Sequence, residues 1–217
     1  AKTTATTADD YLAQAKASQG KKGREKTVIR LAEQSLKLRK SASAFYLVAL
    51  NKFLLNDHRG AIADYNKVLE IDPQWGNSTV YLNRGVSKSN IGDYQGAIAD
   101  YNKTMVLNPD LEVIVYLIRG NTKDNYGDHQ GAIQDFNKLI EIQPNLSHAY
   151  LERGNAKKNL KDYKGAIVDY NKAIWINPDL ADAYLGLGNA KGQLGDYQEA
   201  IADFSAAIEI NPQHALA

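Results

Sequence analysis

Residues able to do chemistry are plentiful in this chain, and their spacing narrows what that chemistry is. The four histidines, His58, His129, His148 and His214, fall at no spacing that would gather them around a metal ion. Cysteine is absent, which removes thiolate nucleophiles and disulfides. No glycine-rich phosphate-binding loop is present, and the carboxylates recur at regular intervals instead of converging. Asparagine is the notable group. Asn121, Asn155 and Asn189 lie 34 residues apart, and Asn90, Asn125 and Asn159 form a second row that Gln193 continues. A carboxamide both donates and accepts, so a ladder of them pairs with the backbone of an extended peptide without demanding a side-chain sequence. The same groups serve equally to cap or bridge neighbouring helices. The expectation is a protein that is not an enzyme, with no cofactor and no metal, working by contact with other molecules.

These asparagines are carried by a repeat. The pattern D-[YH]-x-[GE]-A-I-x-D-[YF] occurs five times and is closed each time by an [IL]-[DNQ]-P. The closing prolines Pro73, Pro109, Pro144, Pro178 and Pro212 are 36, 35, 34 and 34 residues apart, a period that signals a helical solenoid. Asp57, Asp93, Asp128, Asp162 and Asp196 stand where a carboxylate would cap a following helix. Glu199 extends the last of these to a capping-box pair.

The units resemble the tetratricopeptide repeat, a 34-residue helix-turn-helix motif. With each proline at position 32, the repeats span 42–75, 78–111, 113–146, 147–180 and 181–214. Position 4 is then Phe45, Tyr81, Tyr116, Tyr150 and Tyr184, and position 8 is Ala49, Gly85, Gly120, Gly154 and Gly188. Position 20 is Ala61, Ala97, Ala132, Ala166 and Ala200, and position 24 is Tyr65, Tyr101, Phe136, Tyr170 and Phe204. Small residues at 8 and 20 let two antiparallel helices approach, while the rings and the aliphatic residues at 21, 28 and 30 fill the space between units. The resemblance implies an all-α, right-handed α-solenoid. The Asn-Arg-Gly and Gly-Asp-Tyr-Gln-Gly-Ala-Ile phrasing is similar to repeats abundant in cyanobacteria, which implies an assembly or adaptor factor for larger membrane complexes.

What lies outside the five repeats reads differently. Residues 1–7 are expected to be a disordered tail, and 8–41 a degenerate helical pair that caps the array, divided by Gln19-Gly20-Lys21-Lys22-Gly23. Residues 1–41 hold ten Lys or Arg against four Asp or Glu, while the whole chain of 217 residues carries a net charge of +1. The basic cluster Lys21, Lys22, Arg24 and Lys26 is read as a solvated hairpin tip, so no nucleic-acid partner is expected. Residues 215–217 are a tail or the start of a further helix, which would leave Ile201, Phe204 and Ile208 uncovered. A further repeat or a second copy of the chain would cover them. No segment is apolar for long enough to span a bilayer. The compartment stays open between the cytoplasm and an exported form whose leader has been removed.

In the tetratricopeptide family the first helices line a concave groove, with positions 2, 5, 6, 9, 12 and 13 facing it. Carried over, repeat one offers Tyr46, Leu47, Leu50, Phe53 and Leu54, and repeat three Ile114, Leu117 and Ile118. Leu82, Leu151 and Leu185 continue a thinner apolar line, and Asn83 joins the amides. The implied peptide-binding residues are Tyr46, Leu50, Phe53, Asn83, Asn90, Leu117, Asn121, Asn125, Asn155, Asn159 and Asn189. Basic groove residues reduce to Lys158 beside Asp124, Glu152 and Asp182, so the carboxylate clamp of some relatives is unmatched. The implied function is a scaffold binding a peptide segment of a partner protein. Self-association through the C-terminal end, and service as the regulatory part of a larger enzyme, are the alternatives. The recurring cations Lys52, Lys88, Lys123, Lys157 and Lys191, with Arg84, Arg119 and Arg153, are expected to pair with Asp64, Asp100, Asp135, Asp169 and Asp203 as a structural ladder.

Overall fold

In four of the five repeats the aspartate caps its helix because of the residue three places on. In a computed structural model, which describes residues 6–74 and 77–212, the carboxylates of Asp57, Asp93, Asp128 and Asp162 accept from the backbone N–H of Gly60, Gly96, Gly131 and Gly165 at 2.9 to 3.0 Å. A Cβ built on Gly131 would lie 2.1 Å from Asp128 Oδ2, so the carboxylate occupies the space that any other residue's side chain needs. In the fifth repeat that third residue is Glu199, and Asp196 makes no side-chain cap bond. The expected capping box is therefore absent. Glu199 turns instead to Lys191, 3.2 Å away.

Twelve α-helices form among the described residues, and no strand. The first three pairs are α1 (Ala8–Ser18) with α2 (Glu25–Leu38), α3 (Ala42–Leu54) with α4 (His58–Ile71), and α5 (Ser78–Asn90) with α6 (Tyr94–Leu107). A short 3₁₀ turn, Pro109–Leu111, follows. The remaining pairs are α7 (Glu112–Tyr126) with α8 (His129–Ile142), α9 (Ser147–Asn159) with α10 (Tyr163–Ile176), and α11 (Ala181–Leu194) with α12 (Tyr197–Ile210). The chain divides into two compact units, Ala1–Leu111 and Glu112–Ala217, each a stack of three such pairs. Within each unit the helices pack pair on pair in sequence order, the arrangement of an α-solenoid.

Within four of the pairs the crossing is set by glycine against a ring. A Cβ added at Gly85, Gly120, Gly154 or Gly188 would fall 2.6 to 2.8 Å from the ring of Tyr101, Phe136, Tyr170 or Phe204. Tyr65, Tyr101, Phe136 and Tyr170 are almost wholly buried, and burying such a side chain contributes about 2 to 3 kcal/mol. Two further layers were not anticipated from the sequence. Position 3, as Ala44, Val80, Val115, Ala149 and Ala183, and position 27, as Val68, Thr104, Leu139, Ala173 and Ala207, are fully buried. Conversely, Ile71, Leu107 and Ile142 at position 30 stay 40 to 44% exposed, because the buried stripe of the second helix runs through 20, 24 and 27 and leaves 30 to one side.

The N-terminal pair is a member of the stack with a looser turn. Thr7 is the N-cap of α1 in a complete capping box with Asp10, so the expected tail ends before it; residues 1–5 lie outside the described residues. Leu12, Ala15, Val28, Leu31 and Ala32 form one core with Ala44, Leu47 and Val48 of α3. Asn51, buried on α3, donates to Gln19 Oε1 at 2.7 Å and ties the pair to the first repeat. Lys21, Lys22, Arg24 and Lys26 are exposed at the tip of the hairpin. At the other end of the chain, Tyr197 and Ile201 of α12 are 68 and 60% exposed, Ile208 41%, and Phe204 is half-buried. Residues 213–217 lie outside the described residues.

Candidate functional site

The expected ladder of charges builds the frame of the site. Arg84, Arg119 and Arg153 each clasp an aspartate of the following helix, Asp100, Asp135 and Asp169, through Nε and Nη2 at 2.6 to 2.9 Å. Lys88, Lys123 and Lys157, one turn on, reach the same carboxylates at 2.7 to 3.0 Å. Lys52 with Asp64 and Lys191 with Asp203 complete the series at 2.7 and 2.8 Å. The guanidinium groups of Arg84, Arg119 and Arg153 also sit over the half-buried rings of Tyr81, Tyr116 and Tyr150, 5.4 to 5.5 Å from their centres. Asp100, Asp135 and Asp169 are buried, so these cations are spent on holding first helix to second.

The first helices contact one another directly, α1 with α3 and α3 with α5 in one unit, α7 with α9 and α9 with α11 in the other, whereas the second helices lie farther apart. The first helices are thus on the inner side of each stack.

On α3 of the first unit this inner side is uncharged. Tyr46, Leu50 and Phe53 are half-buried on α3, with Leu54 52% exposed beside them. The Tyr46 ring lies 6.3 Å from that of Tyr65, and Phe53 meets His58 edge-on at 6.0 Å. Leu47, expected among the lining residues, is instead 6% exposed within the N-terminal core, because the additional pair α1–α2 packs on that side of α3. Asn83 approaches the buried Tyr65 hydroxyl without closing a well-formed hydrogen bond, and burial pushes that phenol up. Asn90 is exposed and donates to its own helix at Val86 O, 2.8 Å.

In the second unit the amides separate into two groups. Asn155 accepts from the Tyr170 hydroxyl at 2.9 Å and donates to Glu152 Oε2 at 3.2 Å. Asn159 donates to Asp124 Oδ2 across to α7 at 2.9 Å, and Asp124 Oδ1 lies 2.6 Å from His129 Nδ1. Both amides bridge helices. Asn121, Asn125 and Asn189 make no hydrogen bond to another side chain among the described residues, and the latter two are exposed. Leu117, half-buried, packs against Ala132, Ile133, Phe136 and Ala156, and Ile114 remains 45% exposed. Leu151 is 3% exposed in the core with Tyr170 and Leu187, so the thin apolar line does not continue through it: α10 and α11 close over that position.

Glu152 is the one acid of this face with a strongly shaped environment. Burial pushes its carboxyl up, and hydrogen bonds from His148 and Asn155 more than reverse that, holding it below the usual glutamate range. His148, 3.2 Å away, is raised above the ordinary histidine value chiefly by its hydrogen bond to Glu152. Among the described residues no group of His, Asp or Glu is arranged to hold a metal ion, and no helix is long and apolar enough to cross a membrane.

Comparison with known families agrees with this geometry. Tetratricopeptide repeat patterns match residues 42–74, 113–146 and 181–214, and a TPR repeat pattern matches 154–195, together more than half of the chain. The chain belongs to the tetratricopeptide-repeat family. Among solved structures, the crystal structure of MamA is 29% identical, covers 78% of this chain and 98% of that one, and superposes with a TM-score of 0.67. The MamA 41-end structure from Desulfovibrio magneticus RS-1 is 17% identical over 79% of this chain and 96% of that one, with a TM-score of 0.70. The crystal structure of YrrB, described as a TPR protein with an unusual peptide-binding site, is 20% identical over 85% of this chain and 94% of that one, with a TM-score of 0.65. No curated protein matches the chain. The tetratricopeptide-repeat fold and these neighbours support a protein-interaction scaffold. The regular motif that identifies the family is used internally, in caps, packing and ion pairs.

Proposed function

We propose that this protein is a non-catalytic adaptor that holds a peptide segment of a partner protein on the inner faces of its first helices. The observation that carries this reading is the pair of spare amides Asn121 and Asn125 on the same helix as the half-exposed Ile114 and Leu117, with Asn189 spare on α11 of the same unit. Amides of this kind take a peptide backbone, and the apolar residues next to them take an anchoring side chain. The α3 lining in the first unit, Tyr46, Leu50, Phe53 and Leu54, is uncharged and takes an apolar anchor of its own. Asn83, Asn90, Asn155 and Asn159 belong to the same first helices, and of these Asn155 and Asn159 orient their neighbours. The shared fold with YrrB, a TPR protein with an unusual peptide-binding site, supports the reading at the level of architecture. A role in assembling a larger complex follows naturally for an adaptor of this type.

The test is capture of partners by the full chain and by two variants, Leu117→Asp with Asn121→Ala, and Leu50→Asp with Phe53→Ala. Amide hydrogen exchange on the captured complex then locates protection. Loss of the partner in a folded variant, with protection on α3, α5, α7, α9 or α11, supports the proposal. Equal retention by both variants, or protection confined to the second helices, overturns it. Self-association through α12 is a second reading, favoured by the exposure of Tyr197, Ile201 and Ile208. Light scattering over a range of concentrations decides it, a constant monomer mass excluding it.

A further inference from the structure

The outward surfaces of the second helices are not alike: α6 keeps Lys103 beside an exposed Val106, and α10 adds a second lysine and an indole. On α4 and α8 this surface is neutralised: Lys67 Nζ donates to Glu70 Oε2 and Lys138 Nζ to Glu141 Oε2, each at 2.7 Å. On α10 the lysine is kept as Lys172, but the acid is replaced by Trp175. The Trp175 ring is 3.7 Å from Lys172 Nζ, and the residue is 70% exposed. One turn before Lys172, Val168 is 66% exposed at a repeat position where Ala63, Ala99, Gln134 and Ala202 stand elsewhere. Lys164 is exposed one turn earlier still. Steps of four, four and three residues put Lys164, Val168, Lys172 and Trp175 on one stripe. The one acid within α10, Asp169, is buried beneath Arg153 and Lys157. The stripe is therefore apolar and carries positive charge alone.

We propose that this stripe of α10 docks on an anionic lipid bilayer surface, with the Trp175 indole at headgroup level and the ammonium groups of Lys164 and Lys172 on lipid phosphates. Charge complementarity selects an anionic partner. Shape selects a membrane: the stripe is on the outer side of its unit, along the ridge of a single helix, where an extended peptide would bury little. A bilayer interface deforms around such a ridge and accommodates an indole with a lysine over it. The lysine stems lie along the apolar residues while their charged ends reach outward. Glu209 holds the Trp175 position on α12, which keeps the attraction weak and sensitive to salt.

The experiment uses the full chain with Trp75→Phe, so that emission reports Trp175 alone. It is titrated with vesicles of phosphatidylcholine, and of phosphatidylcholine with about one third phosphatidylglycerol. The expected result is a blue shift and co-sedimentation with the anionic vesicles only, weakened by added salt. Lys164→Ala and Lys172→Ala should each lower the affinity about fivefold, and Trp175→Ser should abolish co-sedimentation while the far-ultraviolet circular dichroism stays unchanged. Equal binding to both vesicles, no binding to either, or binding unaffected by these variants overturns the proposal. Saturable binding of a polyglutamate peptide through the stripe, without vesicle binding, would reassign it to an acidic protein and also overturns it.

Discussion

Arg119 grips Asp135 with two hydrogen bonds, Nε to Oδ2 at 2.8 Å and Nη2 to Oδ1 at 2.6 Å, and Lys123 Nζ stands 2.9 Å from the same carboxylate. One buried acid thus joins two cations of α7 to α8. The guanidinium is raised above its ordinary value first of all by that pairing. Asp135→Ala leaves both cations together with their side chains only 14 and 16% exposed. The expected loss is about 3 kcal/mol, seen as a lower urea midpoint. Affinity for a partner on the inner face should change by less than about twofold. A larger effect on affinity than on stability would move this ladder from the frame into the binding site.

Asp128→Ala should cost about 1 kcal/mol through loss of the bond from Gly131 N–H. Asp196→Ala should cost much less, since Asp196 makes no side-chain cap bond. Thermal unfolding of the two variants checks the difference. Equal losses would show that glycine three residues on is not what licenses the cap.

The turn between first and second helix holds a left-handed residue in every repeat: Asn56, Gly92, Gly127, Lys161 and Gly195, with φ from 61° to 92°. Lys161, at φ 63° and exposed, bears the strain that a Cβ meets there. Lys161→Gly should raise stability by about 0.5 to 1 kcal/mol, and Gly127→Ala should lower it by about 1 kcal/mol. Chemical denaturation of both variants provides the measurement, and destabilisation by Lys161→Gly would contradict this account.

His148 and Glu152 predict a window of pH. The histidine is raised in the fold, so its contribution is full below the ordinary histidine value and lost as pH rises through the folded one. The glutamate is lowered, so its contribution is full above the ordinary glutamate value and lost as pH falls through the folded one. The pair therefore stabilises most between the two. His148→Ala should lower the melting temperature at about pH 5.5 and leave it nearly unchanged at about pH 8.5. A difference that does not vary with pH would exclude the ion pair as its cause.

The repeat, its two helices and most of their internal chemistry are legible in the order of residues. The five aspartates mark five helix starts, the small residues at Gly120 and Ala132 mark a close crossing, and Arg119 with Lys123 foretells a carboxylate partner. These relations lie within one repeat, where a fixed separation along the chain becomes a fixed separation in space. Even there Glu199 misleads, because whether a cap closes depends on a Cβ that spacing alone does not place against a carboxylate. The candidate site is legible only in outline. Asn121, Asn155 and Asn189 are equivalent in the sequence, yet Asn155 is held by Tyr170, 15 residues away, and Asn159 by Asp124, 35 residues away, while Asn121 and Asn189 are left over. Leu47 and Leu151 likewise read as surface and are core, because α1 and α2 cover the first and α10 with α11 of the next repeat the second. Sequence by itself determined the repeating frame, since its contacts are local and recur five times. Tertiary structure alone decided which groups remain for a partner, since that depends on what each neighbouring helix has already taken.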